Sequence, residues 1–154
     1  VRPTRRVLDA GLASALAGVA LVTLVPTGGG WSWAAPVSEL QWYAAALGSG
    51  PAMLQLFGNL VLLAPLAALA VLRWPPLSAP GRLVAASVAA GAAVELLQWS
   101  LPLGRVVSPV DALLNAAGAV LTGLVVARLA APEGRRARHR CPGPTGAGSS
   151  FSPW

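Results

Sequence analysis

The chain has 154 residues, of which 55% are hydrophobic and only 10% charged. A soluble domain carries about 25% charged residues, so this composition leaves too little polar surface to cover a water-soluble globule. The net charge of +6 comes from eleven arginines and no lysine. Its placement along the chain fits membrane orientation better than nucleic acid, which is not expected as a partner.

A spanning helix needs about 20 mostly apolar residues. The first such segment runs from about Val7 to Val25 and ends at Pro26 and the glycines 28–30. Arg5, Arg6 and the Ala34-Ala35 pair give it some likeness to a cleaved signal peptide. Its apolar stretch exceeds the usual 7–15 residues of such a signal, which favours a retained span. In the loop that follows, Ser38-Glu39-Leu40-Gln41 has the spacing of a capping box. It predicts a short helix from about Glu39 to Leu47 lying in the interface, with Trp42 and Tyr43 at headgroup depth.

The second span, Met53 to Leu72, carries Asn59 and Pro65 and is followed by Trp74, Pro75 and Pro76. The third, Leu83 to Leu101, carries Glu95 and Gln98 and is closed by Pro102 and Gly104. The fourth, Val110 to Leu129, opens on Ser108-Pro109-Val110-Asp111, which reads as N-cap, proline at N1 and acid at N3. Backbone groups in lipid must be paired internally, so continuously apolar runs of this length are helices. The expected fold is all-α: an integral membrane bundle of four transmembrane helices over residues 1–131. Residues 132–154 are rich in Arg, Pro, Gly and Ser with no apolar period and are expected to form a disordered basic tail. That tail either touches anionic membrane lipids or only sets orientation. It contains His139 in an arginine run, and Cys141, the one cysteine, which has no intrachain disulfide partner. Nothing clusters cysteine and histidine for a metal, so no metal or other cofactor is expected.

Arg2, Arg5, Arg6, Arg73, Arg82, Arg128, Arg135, Arg136, Arg138 and Arg140 all fall on one side of the four spans, and only Arg105 on the other. The positive-inside rule then places both termini in the cytoplasm. Trp31, Trp33, Trp42, Tyr43 and Trp99 would form the outer aromatic belt, and Trp74 would lie at the inner interface.

Charged groups inside a span cost about 2.5–3.5 kcal/mol each on insertion scales. Asn59 lies six residues into its span and Glu95 six residues from the end of its own, each about 9 Å deep at helical rise. Gln98, Asp111 and Asn115 lie at similar or shallower levels, and Arg105 sits in the short loop between spans three and four. The six therefore gather in the outer part of the membrane. Glu95 and Gln98 share a face at i, i+3, and Asp111, Asn115, Gly118 and Thr122 form one stripe. Gly91, Gly118 and Thr122 are small enough to let helices approach. From its loop Arg105 is expected to reach Glu95 or Asp111. Plainer readings stand beside each: Asp111 as a cap alone, Asn59, Gln98 and Asn115 as interhelical hydrogen bonds, and Pro65 as a tolerated kink. Glu95 is the hardest to read as structural, because a carboxyl that deep must be neutral or paired.

These residues, in this order, resemble the VanZ-like family of small bacterial membrane proteins. The family pattern has Asn then Pro in one span and Glu-x-x-Gln in the next. An Arg follows, then an Asp six residues on, an Asn four further and glycine spacing beyond. The chain shows Asn59 and Pro65 in NLVLLAP, Glu95 and Gln98 in ELLQ, and Arg105, Asp111, Asn115 and Gly118 in RVVSPVDALLNAAG. The resemblance covers about Gln55 to Leu129. Leu63 stands where an aromatic is usual, Ala67 where a glycine is usual, Ser108 where an acid often precedes the main Asp, and Thr122 where a second glycine is usual.

The family takes its name from a protein linked to low-level resistance to teicoplanin, a glycopeptide antibiotic. The resemblance implies the bacterial cell membrane, a cell-envelope role and no particular reaction. It leaves three functions open. One is an envelope factor that binds a lipid-linked envelope precursor or a glycopeptide at the polar cluster. The second is a membrane-embedded enzyme with Glu95 as acid or base and Arg105 holding an anionic group. The third is a small transporter, since buried acids often mark such paths.

Overall fold

The computed structural model describes residues 3–131, and the basic tail with His139 and Cys141 lies outside the described residues. Six α-helices and two short strands follow in the order α1 (Arg5–Leu24), β1 (Gly30–Trp33), α2 (Pro36–Ala45), α3 (Gly50–Leu62), α4 (Ala64–Arg73), α5 (Pro80–Ser100), β2 (Leu103–Val107) and α6 (Pro109–Ala130). Helices α3 and α4 are the two halves of one span. Four stretches are long and apolar enough to cross a membrane: Arg5–Leu24, Gly50–Arg73, Pro80–Ser100 and Pro109–Ala130. Each agrees with its predicted span to within a turn. Their outward side chains are apolar; Leu21, Leu54 and Leu129 are 68%, 76% and 76% exposed, which suits a lipid surface and no aqueous one.

The break in the second span follows from Pro65. Proline has no N–H to donate to the preceding turn, and its ring crowds the residue before it. The helix stops at Leu62 and restarts at Ala64. Leu63, at the break, turns fully inward and packs with Val19 and Ala119 as the centre of the apolar core. Helix α6 runs through the middle of the bundle, against α3, α4 and α5, while α1 lies against α4 and α5. Close approach to α6 depends on glycine. A Cβ on Gly118 would run into the carbonyl of Leu60 on α3, and one on Gly91 of α5 would stand 2.5 Å from the carbonyl oxygen of Ala112. The small residues expected to bring helices together do so at these two positions.

One end of the bundle is capped by the two connections α1–α3 and α5–α6. There β1 and β2 pair in parallel, with Gly30 opposite Leu103 and Trp33 opposite Val107. Thr27 N–H also donates to the Leu103 carbonyl at 2.9 Å, and Ala34 N–H to that of Val107 at 3.0 Å. This pairing was not expected from the sequence. A four- and a five-residue strand, each containing glycine and separated by about 70 residues, give no hairpin signal.

The predicted short helix of the first connection exists as α2, but it begins at Pro36, with Ala35 as N-cap. The capping box does not form. Pro36, favourable at the first helical position, starts the helix before Ser38. Ser38 hydroxyl then donates back to the Ala35 carbonyl at 2.8 Å. Tyr43, expected at headgroup depth, points inward and is 6% exposed.

Candidate functional site

The fourth long helix starts with a serine that satisfies three elements at once. Ser108 is the N-cap of α6, and its Oγ accepts from the backbone N–H of Val110 at 3.0 Å and Asp111 at 3.1 Å. These are two of the donors that every helix N-terminus leaves orphaned. The same hydroxyl donates to a carboxylate oxygen of Glu39 on α2. The Ser108 N–H donates to Glu95 Oε2 on α5 at 2.9 Å. One residue, 1% exposed, thus ties α2, α5 and α6 together. Where the resemblance led one to expect an acid at this position, Glu39 brings one from another connection.

Asp111, in the first turn of α6, is held separately. Tyr43 hydroxyl donates to its Oδ1 at 3.1 Å, and Gln55 Nε2 on α3 to its Oδ2 at 3.3 Å. Asn59, one turn along from Gln55, lies near both Tyr43 and Asp111. Asp111 therefore does more than stand in the first turn of its helix: it joins α2 and α3 to α6. Burial pushes the Glu39 carboxyl above its ordinary value; its bond from Ser108 opposes this, and the charge of Asp111 adds to it. Burial first, then the charge of Asp111, also raises the Tyr43 phenol, so Tyr43 acts as a donor.

Gln98 Nε2 reaches across to the Thr23 carbonyl of α1 at 3.0 Å. Arg105 does not pair with Glu95 or Asp111 as expected. Its Nη2 donates to the Val22 carbonyl at 2.7 Å and its Nε to the Val25 carbonyl at 3.1 Å. The last carbonyls of a helix are unsatisfied and carry partial negative charge, so they compete well for a guanidinium. The strand pairing decides the outcome, since it holds β2 beside the chain leaving α1.

All six residues singled out from the sequence line one cavity of about 620 Å³: Asn59, Glu95, Gln98, Arg105, Asp111 and Asn115. Gln55, Thr23 and Thr27 complete its polar wall. Of the six, Asn115 stands apart. It is 1% exposed and its Oδ1 has no hydrogen-bond partner. A buried amide oxygen without a partner costs about 1–3 kcal/mol, so its retention asks for a reason. Pro65 lies just after the break in the second span, and Gly118 at the α3–α6 contact.

Sequence reasoning missed Glu39, Tyr43, Gln55 and Ser108 as members of this network. A signal existed for three. Glu39 and Tyr43 are i and i+4 on the short helix, as Gln55 and Asn59 are on the span, so each pair shares a face. Ser108 was read as a cap, and its further bonds to two acids had no local signature.

Among the described residues no group of three or more His, Cys, Asp and Glu is placed to hold a metal ion. A family model described as VanZ/LLP1 matches residues 9–131. No curated protein and no solved structure matches the chain.

Proposed function

Because the chain belongs to the VanZ-like family, we propose that it acts at the bacterial cell envelope by binding the polar head of an amphiphile, such as a lipid-linked envelope precursor, in the capped cavity. In this reading both termini lie in the cytoplasm and the cavity opens at the outer leaflet. The arginine distribution supports that orientation: Arg5, Arg6, Arg73, Arg82 and Arg128 sit at the uncapped end and Arg105 at the capped one. The observation that carries the binding is the cavity itself. Six polar side chains from three spans and a connection converge on it, at a volume typical of small-molecule sites. Low-level glycopeptide resistance would follow if the bound amphiphile is one such antibiotics depend on.

Transport is less well supported. Beyond the cavity Val19, Leu63 and Ala119 form an apolar core cluster, with Leu66, Ala67 and Ala90 packed against it. Catalysis is less well supported too. Ser108, whose hydroxyl bonds Glu39 and whose backbone N–H bonds Glu95, is buried, and that hydroxyl is already shared among two backbone donors and Glu39.

The test is to replace Glu95→Gln, Arg105→Gln and Asp111→Asn singly. Protein level in membranes and teicoplanin susceptibility of an expressing host are then measured together, with a reporter fused after Ala131. The expected result is near-normal protein, a cytoplasmic reporter and altered susceptibility in at least one variant. Unchanged susceptibility in all three removes the antibiotic consequence. Loss of protein in all three makes the cluster structural, and an external reporter inverts the orientation.

A further inference from the structure

The groove that opens between α1, α4 and α5 has an apolar wall and a basic rim. Leu12 and Leu16 line it from α1, Leu66 and Ala70 from α4, and Ala86 and Ala90 from α5. Followed at helical spacing, each of these faces runs out onto an arginine at the uncapped end of the bundle. Arg5 stands seven residues before Leu12, Arg73 three after Ala70, and Arg82 four before Ala86. Trp74 and Leu77 line the same end, and the Arg73 guanidinium lies 5.5 Å from the centre of the Trp74 ring. Tryptophan at the end of a span marks headgroup depth. Among the described residues Asp9 is the one acid at this end, and it pairs with Arg73. Three cations against one acid leave the rim at a net +2, with Arg5 and Arg82 both exposed. An apolar channel below a positive rim at headgroup depth is complementary to an anionic amphiphile. The channel is also narrow. Its volume of about 390 Å³ extends along α4 from Leu63 to Trp74, about 16 Å at helical rise. A helix about 10 Å across would need more than roughly 1,000 Å³ over that length, so a neighbouring helix could seat only its side-chain tips. A single alkyl chain fits along it.

We propose that this groove binds one anionic phospholipid, with an acyl chain along the apolar wall and the phosphate held by Arg5 and Arg82. A choline head would bring a further positive charge to the same rim and is disfavoured. The groove and the capped cavity share no lining residue, so the lipid site does not rest on what the cavity binds.

The experiment takes the full chain purified in detergent and titrates it with dioleoylphosphatidylglycerol or dioleoylphosphatidylcholine, followed by native mass spectrometry. The chain should bind one phosphatidylglycerol roughly tenfold tighter than phosphatidylcholine, the order expected for two arginines near one phosphate. Arg5→Gln combined with Arg82→Gln should abolish that preference. Ala86→Phe fills the groove and leaves every arginine in place, so it should lose the tightly bound lipid as well. Ala86 is exposed and its enlargement meets no closed core; should the variant still fail to fold, Ala13→Phe on the facing wall makes the same test. Equal binding of the two lipids, or a preference that survives the loss of both arginines, would overturn the anionic site at this rim. A preference kept in Ala86→Phe and Ala13→Phe would place the lipid on a basic surface outside the groove and overturn the proposal. Dimers of the wild-type chain that Ala86→Phe dissociates would make the occupant a second copy, which overturns it too.

Discussion

Two hollows of the bundle are built on opposite chemistry. The capped cavity is walled by carboxyl, amide and guanidinium groups held in place by hydrogen bonds that cross between helices. Nearer the uncapped end, a groove of about 390 Å³ between α1, α4 and α5 is lined by Leu12, Leu16, Leu66, Ala70, Leu77, Ala86 and similar side chains. The groove needs only lipid or protein hydrocarbon to fill it, since lipid tails are as apolar as leucine. The cavity needs organisation, because each polar group left unmatched in a low-dielectric interior is costly. That difference explains the cap. The β1–β2 pair and α2 are found only at the end where carboxyl groups must be held, and they supply Glu39 and Tyr43 to do it.

The largest effect is expected where α6 packs against α3. Gly118 lets α6 lie directly against α3, beside Leu60. Gly118→Leu must push α3 away by about the width of a side chain. Overpacking of a closed core costs about 1–3 kcal/mol and more where backbone is the obstacle. The obstacle here is a backbone carbonyl, so the upper end of that range or beyond is expected. Thermal unfolding in detergent should show a large drop, or the protein should be missing from membranes. A stable Gly118→Leu chain would mean that α3 and α6 are not in contact as described.

Much of this architecture was legible in the sequence, for reasons that differ by element. The four spans announce themselves by unbroken apolar runs, because the bilayer requires length and polarity and little else. The six cavity residues were legible because polar groups in those runs are exceptions, and helical rise sets their depth. The partner of Arg105 was not. Its choice between two acids and the end of α1 depends on a parallel strand pair between two distant loops, which has no local pattern. Glu39 was hidden for a related reason: in a loop an acid is unremarkable, and only the docking of α2 makes it a buried one. The arrangement of bonds around the cavity is thus a property of the cap, which is the part of the fold least written in hydropathy.

The middle test falls on the cap. Ser108→Ala removes two backbone acceptor bonds at the start of α6 and leaves Glu39 without its partner. Losing a helix N-cap costs about 0.5–2 kcal/mol. A buried polar group left unsatisfied adds about 1–3 kcal/mol. A loss of about 1.5–5 kcal/mol is expected by combining those two ranges. Ser108→Ala combined with Glu39→Leu should recover part of it, since the second change removes the stranded acid. Additivity of the two changes in a thermal or denaturant series would show that Ser108 and Glu39 do not act together.

The smallest effect is expected at the far end, where polar groups need no organisation because water or lipid headgroups reach them. Arg73 at the end of α4 donates to Asp9 of α1 at 2.6 Å, with side-chain exposures of 23% and 53%. The contact is short, yet the surroundings screen it. Exposed ion pairs contribute about 0–1 kcal/mol, and the contribution falls with salt. Asp9→Asn should therefore change stability by less than about 1 kcal/mol, and the change should shrink as ionic strength rises. It should leave binding at the capped cavity untouched, because among the described residues the hydrogen bond of Arg73 is to Asp9 and to no residue of the cavity wall. A loss as large as that of Ser108→Ala would show that both ends of the bundle are organised by polar contacts, and that the contrast between its two hollows is one of size alone.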